Sequence, residues 1–99
     1  MRIDIPDQSE VIRHFGEDAQ SLQICEELGE LTIAVSKIRR AIHSGEPLEA
    51  AYYNLVEEMA DVLICLSQMQ TMYDIPDHAI QDMIYRKCAR QEARLNDAH

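Results

Sequence analysis

The sequence predicts an all-α, antiparallel four-helix bundle completed by oligomerisation, and three observations predict it. Apolar residues recur in steps of three and four along nearly the whole chain, the period of a helix face. Only three Gly and three Pro interrupt that pattern. No alternating pattern runs longer than Arg2-Ile3-Asp4-Ile5, so a sheet has nothing to be built from. At 99 residues the whole chain, 1–99, reads as one domain. A chain of this size buries a limited share of its surface, which favours a core shared between subunits.

The elements follow in order. Asp7-Gln8-Ser9-Glu10 has the form of a capping box and opens a short helix that Gly16 ends. A second helix runs from about Glu17 to His43, with Leu28, Leu31, Val35, Ile38 and Ile42 as one apolar stripe. His43-Ser44-Gly45-Glu46-Pro47 carries turn chemistry, with Pro47 suited to a first helical turn. A third helix follows to about Tyr73, with its stripe at Leu55, Met59, Val62, Leu66 and Met69. Tyr73 to Asp77 is the next break, and a fourth helix spans about Asp77 to Leu95 with Ile80, Ile84, Cys88 and Leu95 on one side.

Composition narrows the function. A hydrophobic content of 46% describes a globular chain rather than a disordered one. No apolar run approaches the ~20 residues that span a bilayer and no leader pattern opens the chain, so the expected location is the cytoplasm, off the membrane. A formal charge of −9 and the absence of Trp argue against a long nucleic acid as partner. A small phosphorylated ligand remains open, because the basic residues are grouped. Lys37, Arg39 and Arg40 form one group, and Arg86, Lys87, Arg90 and Arg94 form the other, with no Lys or Arg between Arg40 and Arg86. Cys25, Cys65 and Cys88 read as small buried hydrophobes rather than as a disulfide or zinc set.

The carboxylates carry the chemistry. Glu27 and Glu30 share one helix face, as do Glu58 and Asp61. Glu30 and Glu58 are equidistant from Ser44 along the chain, and so are Glu27 and Asp61. A hairpin folded about Ser44 therefore brings four acidic groups to one height on facing helices. None has a Lys or Arg three or four positions away, the partner a solvated helical acid commonly has. Like charges in a partly dry site take up a proton or a cation. Four oxygen donors without His or Cys select a hard ion, Mg²⁺ or Mn²⁺. A di-iron carboxylate bundle is excluded, since it needs Glu-x-x-His and no Glu here has a His three residues on.

Lys37 lies on the face of Glu30, one heptad further and about 10 Å along the helix. That suits either a phosphate two links from a metal or a solvated lysine near a helix C-terminus. The row Arg86, Arg90, Arg94 reads first as a soluble face paired with Glu92 and Asp97. Gly29, inside a helix, points to a close approach by a ligand or by a packed helix.

Glu26-Glu27-Leu28-Gly29-Glu30 followed by Glu57-Glu58-Met59-Ala60-Asp61 resembles the EExxE…ExxD signature of the MazG-like all-α nucleoside triphosphate pyrophosphohydrolases. The resemblance extends over most of the chain, through Asn54 to Leu66 and through Tyr85 to Leu95. It implies a MazG-like bundle, dimeric or tetrameric, that hydrolyses a nucleoside or deoxynucleoside triphosphate between the α- and β-phosphates. By that likeness Glu27, Glu30, Glu58 and Asp61 bind Mg²⁺ or Mn²⁺, and Glu26 holds a second ion or accepts a proton from the attacking water. Lys37, Asn54, Lys87 and Arg90 contact phosphates, and residues near His14 and Phe15 line a base pocket at the boundary of a homodimer. Two alternatives stand beside it: phosphoribosyl-ATP pyrophosphohydrolase, which shares fold and motif, and a non-catalytic helical dimerisation or binding module.

Overall fold

The computed structural model describes residues 1–98 and contains four helices and, among those residues, no strand. They are α1 (Ser9–Phe15), α2 (Glu17–Ser44), α3 (Glu49–Met72) and α4 (Asp77–Ala98). No helix among the described residues is long and apolar enough to cross a membrane.

The chain breaks arise from local chemistry. At the start of α1, Asp7 Oδ1 accepts hydrogen bonds from the Ser9 hydroxyl at 2.8 Å and the Ser9 N–H at 3.2 Å. The expected capping box does not form: Asp7 reaches Ser9, two residues on, and Glu10 pairs with Arg13 at 2.7 Å. Gly16, at φ +86°, separates α1 from α2. Gly45 ends α2 in the left-handed region at φ +73°, and the Glu46 N–H closes back on the Ala41 carbonyl at 3.1 Å. Pro47 precedes α3 rather than entering its first turn. Asp74 takes the same left-handed role after α3 at φ +54°, with the Ile75 N–H on the Gln70 carbonyl at 3.0 Å. The Gln70 amide donates to Asp77 Oδ1 at 2.7 Å and ties that turn to the start of α4.

α2 and α3 fold back on each other as an antiparallel pair, and α1 rests against both at the open end. The seam follows the two apolar stripes only in part. On α2 the residues withdrawn from solvent are, besides Ser21, Gln20, Ile24, Glu27, Leu31, Ala34, Ile38 and Ala41, in alternating steps of four and three. On α3 a series of the same spacing, Ala51, Asn54, Glu58, Asp61, Cys65, Gln68 and Met72, is withdrawn, together with Leu55, Val62, Leu63, Ile64, Ser67, Met69 and Gln70 beside it. That spacing is a coiled-coil seam, and its members are small or polar as often as they are large and apolar. Leu31 and Ile38 contribute to it, whereas Leu28, Val35 and Ile42 of the same stripe keep 43, 47 and 45% of their surface exposed. On α3 the stripe divides likewise, with Met59 and Leu66 facing out. The outward members of the two stripes, Leu28, Val35, Ile42, Met59 and Leu66, thus form a second apolar face beside the seam.

Residues 1–8 form no helix or strand, and Met1, Ile3, Ile5 and Pro6 run along the back of α3 beside Val56, Met59 and Leu63. Every residue of α4 is exposed. Cys65 is buried as expected, but Cys25 and Cys88 are exposed, because their positions fall off the seam and on α4 respectively. Gly29 has nothing within 4 Å of where a side chain would begin, so no helix of this chain packs against it. An alanine there gains helix propensity at no steric cost. Gly29→Ala is expected to stabilise the chain by about 1 kcal/mol, read as a higher urea midpoint at unchanged slope. A lowered midpoint would show that another molecule packs at this position.

Candidate metal centre

Glu27 from α2 and Glu58 and Asp61 from α3 meet in the middle of the seam. One carboxylate oxygen from each lies within 4.8 Å of the other two, and all three side chains are half-buried. The placement follows from the seam spacing: each carboxylate occupies a position that a coiled coil would give to an apolar residue. The expected register is present, since Glu27 and Asp61 face each other at equal chain distance from Ser44. Gln20 and Gln68, also equidistant from Ser44, are joined by a 2.8 Å hydrogen bond.

The expected set of four is reduced to three. Glu30 lies off the seam on the exposed side of α2 and is outside the trio. It remains near enough for its charge to act on both Glu27 and Glu58. Glu26 is exposed one position before Glu27, and Glu57, read as a surface residue, is exposed too.

The electrostatics are those of a site lacking counter-charge. Burial pushes the Glu58 carboxyl above its ordinary range, and the charges of Asp61, Glu30, Glu27 and Glu57 push it further. Glu27 is also raised, first by burial and then by Asp61, while a hydrogen bond donated by the Gln23 amide at 2.7 Å opposes the shift. Burial and the same carboxylates raise the Cys65 thiol, which keeps it protonated and inert. Glu58 Oε2 is shut off from solvent and has no hydrogen-bond partner. A buried carboxylate oxygen without a donor is costly unless a proton or a cation meets it. The donor set is oxygen only, which fits a hard divalent cation such as Mg²⁺ or Mn²⁺.

Towards the hairpin turn the helices open into a cleft of about 900 Å³ lined by Lys37, Arg40, His43, Ser44, Ala51 and Asn54, among others. Lys37 and Asn54 therefore share one cavity. Asn54 lies on the seam one turn before Glu58, so the cleft begins about 6 Å from the acidic trio. Arg40, grouped in the sequence with Lys37 and Arg39, and His43, read there as part of the turn, also line it. Lys87 and Arg90 lie elsewhere. With Gln91 and Arg94 they form a shallow basic groove on α4, and neither lines the trio or the cleft. The expected pairing of the arginine row with Glu92 and Asp97 is absent among the described residues, where the one ion pair joins Arg13 to Glu10. His14 and Phe15 are exposed at the α1–α2 junction, their rings edge to face at 4.7 Å.

No protein-family model matches this chain, and no curated protein or solved structure does either.

The raised carboxyls fix the sign of a pH dependence. A carboxyl whose pKa is higher folded than unfolded binds more protons in the native state between the two values. Without metal, stability should therefore rise as pH falls from 7 towards the ordinary Glu value of about 4.5. Glu58→Gln should raise the melting temperature of metal-free protein at pH 7 and flatten that slope. A melting temperature lowered by the substitution would mean that Glu58 has a stabilising partner.

Proposed function

We propose that this chain is a MazG-like nucleoside triphosphate pyrophosphohydrolase dependent on Mg²⁺ or Mn²⁺. The observation that carries the reading is the carboxylate trio in the seam, together with the donorless Glu58 Oε2. A residue whose burial works against the fold unless a cation is present is more readily explained by a ligand than by stability. The resemblance of Glu26 to Glu30 and Glu57 to Asp61 to the EExxE…ExxD signature supplies the reaction class.

In this reading Glu27, Glu58 and Asp61 would hold the metal, with the Glu30 charge beside them on the rim. When bound, the ion neutralises triphosphate charge and lowers the pKa of a coordinated water. The chain's own groups do the rest. The Asn54 amide donates to a phosphate oxygen at the mouth of the cleft, and the Lys37 ammonium binds the terminal phosphate further in. Glu26 accepts the proton of the water that attacks the α-phosphorus, and pyrophosphate leaves. The products are a nucleoside monophosphate and pyrophosphate.

The second apolar face and the exposed α4 support assembly. Leu28, Val35 and Ile42 on α2, Tyr52, Val56 and Leu66 on α3, and Ile80, Ile84 and Leu95 on α4 are all exposed. So many large apolar side chains on one small chain mark an interaction surface. A homodimer, or a tetramer built from it, covers them and lets Lys87 and Arg90 reach the phosphates bound by a neighbouring copy.

Pyrophosphate release measured over a panel of NTPs, dNTPs and phosphoribosyl-ATP tests the proposal, with light scattering for the assembly. Turnover of nucleotides that needs added Mg²⁺ or Mn²⁺ is expected, with a mass above that of one chain. Asp61→Ala should reduce turnover by about 100-fold or more, since even outer-shell changes at metal sites cost 10–100-fold. Lys37→Ala should raise KM more than it lowers kcat. Turnover of phosphoribosyl-ATP alone would replace the substrate, and a dimer that turns over nothing would leave the non-catalytic module.

A further inference from the structure

Three glutamines outside the acidic trio form one chain of amides. Gln20 Nε2 donates to Gln68 Oε1 at 2.8 Å, and Gln68 Nε2 donates to Gln8 Oε1 at 3.1 Å. Gln8 Nε2 in turn donates to the Pro6 carbonyl at 2.8 Å. Gln20 and Gln68 are 6% and 4% exposed, which makes them the most buried polar side chains of the fold. They occupy seam positions two turns from Glu27 and Asp61 respectively, about 10 Å further from the hairpin turn. Two apolar side chains of similar volume would pack there at little or no loss of stability. A buried amide pair differs from them in direction: it is satisfied at one register only, as with a single polar seam residue in a coiled coil.

The location gives that property a use. At one end the hairpin is closed by the turn around Gly45; at the other it is closed by the glutamines, with an exposed hydroxyl contact between Ser21 and Tyr73 at 3.3 Å beside them. Between the two closures lie Glu27, Glu58 and Asp61, three like charges that press α2 and α3 apart. We propose that Gln20, Gln68 and Gln8 are positioning residues, a clamp that holds the two helices at the register where the three carboxylates share one cation. A coordination set held in place before the ion arrives binds it more tightly than one the ion must assemble. The proposal rests on the metal reading of the trio.

The test measures the clamp with and without metal. In a background with Cys25, Cys65 and Cys88 replaced by Ala, spin labels at Glu17→Cys and Thr71→Cys report the spacing of the open end by pulsed electron spin resonance. Binding of Mn²⁺ is followed by its own resonance signal on the unlabelled chain. The double substitution Gln20→Leu with Gln68→Leu is expected to keep the helical circular dichroism, broaden the metal-free distance distribution and weaken Mn²⁺ binding by about 10-fold or more. A broad distribution with unchanged Mn²⁺ affinity, or a distribution as narrow as that of the parent, would overturn the clamp. If the parent chain binds no Mn²⁺, the metal reading fails, while the metal-free distances still decide whether the glutamines set the register. If the double variant does not fold, Gln8→Ala on the rim carries the test: a broadened distribution is expected, and an unchanged one overturns the proposal.

Discussion

A single antiparallel seam between α2 and α3 governs the rest of this molecule, and its middle is electrostatically unfavourable. Coiled-coil pairs gain their stability from apolar residues at such positions. Here Glu27 and Asp61 face each other and Glu58 takes the next seam place on α3, and Glu58 Oε2 is enclosed without a donor. The pair is held despite them, by small residues such as Ala34 and Ala41 that let the helices approach, by Ile24 and Cys65, and by the hydrogen-bonded glutamines at the open end. Under the proposed reading, stability has been given up where a cation is wanted, a trade that functional sites commonly make.

In that proposed reading, the same geometry decides where substrate groups fall. A helix pair has one groove along its length, so the Lys37–Asn54 cleft and the acidic trio lie in line, with Asn54 common to the seam and the cleft. Phosphates bound by an ion at the trio would extend towards Lys37 without a change in the hairpin. α4 takes no part in this arrangement within one chain. Its apolar stripe and basic groove are exposed, and the stretch between Arg40 and Arg86 has no cation of its own. Under the proposed reading these two facts are complementary: the basic helix of one copy meets the acidic hairpin of another.

Much of this was legible in the sequence because helices translate spacing directly into position. The turn at Gly45 and the steps of three and four were enough to place Glu27 opposite Asp61. Gln20 and Gln68 have the same symmetry about Ser44, but neutral amides raise no question of repulsion and escape notice. Glu30 was harder to place. It is three residues from Glu27, yet a seam that steps from Glu27 to Leu31 leaves it on the rim. The apolar stripes misled for a related reason: the largest hydrophobic residues mark the widest apolar face, whereas the closest helix contact selects small ones such as Ala34 and Ala41. The exposure of α4, and with it of Cys88, Lys87 and Arg90, was not legible at all. Amphipathic spacing says that a helix face seeks a partner but not whether that partner is in the same chain.

The central claim is that one divalent ion makes the middle of the seam tolerable. Crystals of the protein grown or soaked with Mn²⁺, with diffraction recorded at the manganese absorption edge, test it most directly. The account predicts an anomalous peak about 2.2 Å from oxygens of Glu27, Glu58 and Asp61, as first-row divalent ions bind carboxylate. Density showing the three side chains turned outwards in water, with manganese absent or bound elsewhere, would contradict it.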